Sequence, residues 1–130
     1  MQRLREGGYF LTIIAIDDNL QRLTELTDCL RKAFPKDNIA AFTDVTEAIR
    51  YAVRREVDVV FADSRVFAMG DGKIWGIIMY FCEGAQIYLV SDEKMWRNSR
   101  IKATDDVTDF ITRPVTADII REITENFIVN

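Results

Sequence analysis

The chain has 130 residues, a net charge of −4 and no histidine. That length suits one domain with a substantial core, and the lack of a basic block removes the electrostatic footprint of an autonomous nucleic-acid binder. Without histidine the commonest general base and transition-metal ligand are missing, so any metal falls to carboxylates and is a hard cation. Cys29 and Cys82 lack metal-ligand spacing and fit buried thiols in a reducing cytoplasm.

Residues 1–8 read as a polar, flexible leader, with residues 9–130 forming a single domain. The apolar run that follows the leader is short, has no small-residue cleavage pattern and meets Asp17-Asp18, which argues against a signal peptide. No stretch reaches membrane-spanning length. Tyr9 to Ile16 is predicted as a first strand, apolar on both faces as a central parallel strand must be. From Asn19 the period becomes helical, with Leu20, Leu23, Leu26, Leu30, Ala33 and Phe34 as an inner stripe stopped by Pro35. Asn38 to Phe42 is a second strand. Asp44 and Glu47 have capping-box spacing and open a second helix with Val45, Ala48, Ile49, Ala52 and Val53 inward.

Val57 to Ala62 is a third strand, rich in β-branched residues and ending at Asp63. A loop is expected next, closed by Met69-Gly70-Asp71-Gly72. Ile74, Ile77, Ile78 and Phe81 form a third helical stripe, although Gly76 and the local richness in β-branched residues leave a strand possible, and Trp75, Met79 and Cys82 lie beside it, either as a broader buried face or as a patch for a partner. Ile87 to Val90 is a fourth strand. A short or irregular helix is expected between Asp92 and Ala103. Phe110 to Thr112 is a fifth strand, and Ile119, Ile120, Ile123 and Phe127 face inward on a closing helix.

Strands alternating with helices, each strand apolar on both faces, imply a parallel α/β sheet covered on both sides. In such doubly wound folds ligands bind outside the carboxyl ends of the strands. The notable polar residues follow those ends: Asp17-Asp18, Asp63, Ser91-Asp92 and Arg113. Three acids drawn together repel one another unless something positive fills the cluster, and magnesium suits such a site because it needs only one or two carboxylates plus a phosphate. A carboxylate there can attack a phosphoryl group, with Ser91 and Arg113 as donors to its oxygens.

These stretches carry a resemblance. Ile14-Ala15-Ile16-Asp17-Asp18-Asn19, Asp58-Val59-Val60-Phe61-Ala62-Asp63, Leu89-Val90-Ser91 and Asp109-Phe110-Ile111-Thr112-Arg113-Pro114 resemble the receiver domains of two-component response regulators, over about Tyr9 to Phe127. The resemblance implies a flavodoxin-like fold of five parallel strands in the order 2-1-3-4-5 with five helices. It implies that Asp63 accepts a phosphoryl group from a sensor histidine kinase or a small donor. Asp17, Asp18, Asp63 and the backbone carbonyl of Arg65 would hold magnesium, and Ser91 and Phe110 would switch with the phosphoryl group. Partners would be the kinase and an effector domain or downstream protein, with a homodimer allowed, no membrane, no direct nucleic-acid contact and a cytoplasmic location.

Two departures stand out. The family's cation is nearly always Lys, whereas Arg113 is planar and bulkier, and Asp92 replaces a usually small residue. They keep open a phosphorylation-independent interaction module on the same fold. An aspartate-nucleophile phosphatase is disfavoured because Arg65 stands where a second acid would serve the leaving group. Clustered carboxylates likewise disfavour a flavin phosphate.

Overall fold

The computed structural model describes residues 10–92 and 107–125. In chain order these form β1 (Thr12–Ile16), α1 (Leu20–Ala33), β2 (Asn38–Phe42), α2 (Val45–Val53), β3 (Val59–Asp63), a short α3 (Ser64–Ala68), a 3-10 turn (Met69–Gly72), α4 (Lys73–Phe81), β4 (Gln86–Ser91), β5 (Asp109–Thr112) and α5 (Ala117–Thr124). The five strands make one parallel sheet in the order β2-β1-β3-β4-β5, as expected. The leader, the irregular helix after Asp92 and Phe127 lie outside the described residues.

Alternation along the strands sorts the core into two layers. Ile14, Ile16, Val60, Ala62, Ile87 and Leu89 point to the layer covered by α2 and α4, where Ala48, Ala52, Trp75 and Ile78 meet them. Ile13, Ala15, Val59, Phe61, Tyr88, Val90 and Ile111 point to the other layer, covered by α1 and α5 through Leu23, Leu26, Leu30 and Ile120. Phe61 and Tyr88 stack across β3 and β4 with ring centroids 5.1 Å apart. Each fully buried branched side chain contributes about 1.5–3 kcal/mol by leaving water, so β1 and β3, buried along both faces, anchor the sheet.

The helix starts follow local chemistry. Asn19 caps α1 by accepting from the Arg22 amide, and Asp44 caps α2 by accepting from the Thr46 amide, while Glu47 pairs with Arg50. At the amino edge of the sheet, polar side chains take up backbone amides: Leu11 N donates to Asp37 Oδ1 at 2.9 Å, Thr12 N to Asp58 Oδ2 at 2.8 Å and Ile87 N to Thr108 Oγ1 at 2.9 Å.

Several expectations are corrected. Leu20, the first residue of α1, is 68% exposed because the chain has only just turned out of β1, and Val53 at the end of α2 is also exposed. The segment after Asp63 is helical over Ser64–Ala68 rather than a loop; five residues are too few to display a period. On α4 the inner face is rotated: Trp75, Ile78 and Cys82 are buried, Met79 packs against the same core, and Ile77, Tyr80 and Phe81 face solvent. An all-apolar helix carries no polar stripe to fix its rotation. Here it starts after Gly72, at φ 87°, without a side-chain cap.

Candidate functional site

β1, β3, β4 and β5 end together, and their register brings the chosen residues to one edge. Asp17 directly follows β1, its amide continuing the ladder to Phe42 O at 3.1 Å. Asp63 closes β3 opposite Val90, and Ser91 closes β4 opposite Thr112. Arg113 follows β5, and its amide donates to Ser91 O at 2.9 Å. The Arg113–Pro114 peptide is cis.

Asp17 and Asp63 are each 1% exposed. Two carboxylates this deep persist as charges only if they are paired and hydrogen-bonded, and cationic side chains meet them. Arg113 Nη2 bridges the pair, donating to Asp63 Oδ2 at 2.6 Å and to Asp17 Oδ2 at 3.1 Å. Arg22 clasps Asp17 from the first turn of α1, Nε to Oδ2 at 3.0 Å and Nη2 to Oδ1 at 2.9 Å, with its Nε 3.8 Å from Asp63 Oδ2. The Arg65 amide donates to Asp63 Oδ1 at 2.9 Å, and its guanidinium lies 3.4 Å from the same oxygen. The hydrogen bond to Asp17 raises the Arg22 pKa above its ordinary value against the opposing pull of burial, and the charges of Asp17, Asp63 and Asp18 add to the rise.

Asp18 does not join the pocket. It is exposed, with its side chain 70% accessible, and its Oδ1 accepts from Arg22 Nη2 at 3.2 Å. Ser91 is fully buried, and its Oγ donates to the Asp92 carbonyl at 3.2 Å. Asp92 faces the cation: its Oδ1 lies 3.6 Å from Arg113 Nη1. Phe110 is half-buried against the α2 and α4 layer. A groove of about 600 Å³ lined by Arg22, Cys29, Val90, Arg113 and Val115 opens beside the two guanidiniums.

The same fold recurs among solved structures. A response regulator receiver domain protein from Clostridium thermocellum is 18% identical, with a TM-score of 0.73 over 92% of this chain and 94% of its own. A response regulator from Thermotoga maritima is 20% identical, with a TM-score of 0.67 over 92% and 98%. The chemotaxis response regulator CheY4 of Vibrio cholerae is 13% identical, with a TM-score of 0.70 over 92% and 100%. This chain has the receiver-domain fold. No protein-family model matches it, and no curated protein matches it in sequence.

The receiver fold raises the question of magnesium, and the donor set answers against it. Every carboxylate oxygen of Asp17 and Asp63 already accepts from a guanidinium or a backbone amide, including Asn19 N to Asp17 Oδ1 at 2.9 Å. Asp18 points outward, and Arg65 lies within the first turn of α3, where a carbonyl points along the helix away from its capping residue, Asp63. Among the described residues no three His, Cys, Asp or Glu side chains are grouped to hold a metal. A further cation would also meet repulsion from the guanidiniums already beside the acids. The residues as arranged, Asp17, Asp18, Asp63 and the Arg65 carbonyl, therefore do not fit magnesium.

The structure places Asp17, Asp63, Ser91 and Arg113 on one sheet edge and adds Arg22 and the Arg65 side chain, which the sequence pattern did not single out. The available signal was spacing: Arg22 stands four residues after Asp18, on the adjacent turn of a helix. Among the described residues no helix is long and apolar enough to cross a membrane.

Proposed function

We propose that this chain is a receiver-type signalling module that engages a protein partner without a phosphoryl group on Asp63. The observation that carries the reading is the 2.6 Å contact of Arg113 with a buried Asp63, reinforced by Arg22 and Arg65. A charge-assisted bond of this kind is short and strong, and it ties up the carboxylate oxygen that a nucleophile needs. The arginines thereby do what a phosphorylated site does elsewhere: they fix the strand ends in one arrangement, and the partner reads that arrangement. In this reading residues 9–130 act as one cytoplasmic domain.

A second reading is supported by the retained acids. Asp17 and Asp63 share one strand edge with the hydroxyl of Ser91, the set expected where a histidine kinase transfers a phosphoryl group to Asp63. Transfer would require Arg113 to release Oδ2, after which Ser91 and Phe110 would respond.

Intact mass after acetyl phosphate treatment separates the two readings, run with and without magnesium and beside Asp63→Asn. No added phosphoryl group on a folded protein, followed by the same outcome with histidine kinases as donors, supports the interaction module. A gain that Asp63→Asn abolishes overturns it and establishes Asp63 as the acceptor.

A further inference from the structure

We infer that Arg22 is a resident cation, held where it replaces a divalent metal, so that the acid pocket of this chain is closed to magnesium by its own sequence. The inference rests on the receiver-type reading of the pocket but concerns metal binding, which is measured independently of phosphorylation.

Asp17 and Asp63 bring two negative charges into the interior, and Arg113, on the sheet's own edge, returns one. Arg22 supplies the second at Asp17, and the more exposed Arg65 adds a longer contact to Asp63. Arg22 does so from a defined position: its amide is held by the Asn19 cap at 2.9 Å, fixing the base of the side chain at the first turn of α1. From there Nε and Nη2 make a two-pronged contact with Asp17, the geometry for which a guanidinium is suited and an ammonium is not.

The same side chain also removes a ligand. Nη2 is shared between Asp17 Oδ1 and Asp18 Oδ1, which holds Asp18 outside the pocket, 70% accessible. Arg22 thus fills the charge requirement and keeps one carboxylate outside the cluster. A guanidinium keeps its charge in proteins in any case, and the hydrogen bond to Asp17 favours the charged form further.

The test is magnesium binding itself, by calorimetric titration with MgCl2 and by thermal melts at constant ionic strength. The wild-type chain is expected to show no saturable heat and no shift in Tm. Arg22→Met is expected to bind magnesium at least roughly tenfold more tightly than wild type, because a repelling charge is gone, and to gain thermal stability with metal by mass action. Arg22→Lys keeps a charge and is expected to stay insensitive. Adding Asp63→Asn to Arg22→Met abolishes the gain and localises it. Arg22→Gln repeats the test should Arg22→Met not fold.

Saturable magnesium binding by the wild type that Asp63→Asn removes overturns the inference, and so do folded neutral variants no more responsive than wild type. These failures are distinct from failure of the interaction-module reading, which a phosphoryl adduct on Asp63 would show even in a chain that binds no metal.

Discussion

The two edges of the sheet use the same residue type to different ends. At the amino edge Asp37 and Asp58 accept from the amides of Leu11 and Thr12; at the carboxyl edge Asp17 and Asp63 accept chiefly from Arg22, Arg113 and Arg65. An acid bonded to a backbone amide finishes a strand, replacing a ladder partner that the chain does not supply. An acid bonded to a guanidinium is half of a balanced charge pair, and its partner can in principle be exchanged for another cation. Position at a strand end therefore says little about function. At the carboxyl edge the distinguishing feature is the guanidiniums that reach the acids.

The largest effect that tests this contrast is expected from Arg113→Met, which leaves Asp17 and Asp63 buried with less compensation. A loss of about 3 kcal/mol in urea unfolding is expected, with much of it restored by adding Asp63→Asn. At the other edge Asp58→Ala forfeits a hydrogen bond to an amide and is expected to cost about 2 kcal/mol. Asp58→Asn, which keeps an acceptor, costs less. Were Asp58→Ala as costly as Arg113→Met, the two edges would not differ in kind. Asn19→Ala removes the cap of α1 and is expected to cost about 1 kcal/mol. Because the cap also steadies Arg22, the loss should exceed that of the Asp44→Ala cap on α2. Tyr80→Lys, on the outward face of α4 and away from both edges, is expected to change stability by less than about 0.5 kcal/mol. A larger loss would mean that this face is covered.

The fold was legible because its strongest signals are local. β1 and β3 are continuous apolar runs, β2 was read to the residue, and α1 carries alternating charges that fix its inward face. Asp17 and Asp63 were visible because each interrupts such a run. Arg22 was not, since among the charged residues of α1 it looks like one more solvated side chain until Asn19 fixes its turn of helix beneath Asp18. The rotation of α4 was unreadable for the opposite reason: Trp75, Ile77, Tyr80 and Phe81 are all apolar or aromatic, and only packing against Ile78's neighbours decides which go inward. Asp58 appeared as part of a strand motif, and its bond to Thr12 depends on pairing between residues 46 apart, beyond the reach of any local pattern.

Two cations of the pocket, Arg22 and Arg113, also differ in when they arrive. Arg22 lies five residues from Asp17, whereas Arg113 lies 96 residues from Asp17 and 50 from Asp63. Closing the short loop costs little chain entropy and closing the long ones costs more, and during synthesis from the amino terminus Arg113 is the later to emerge. Asp17 thus has a partner as soon as α1 forms and Asp63 has one in Arg65, two residues on, while the bridge between the two acids waits for β5 to dock. Completion of the pocket coincides with completion of the sheet, so the Arg113 bridge reports that the last strand is in place.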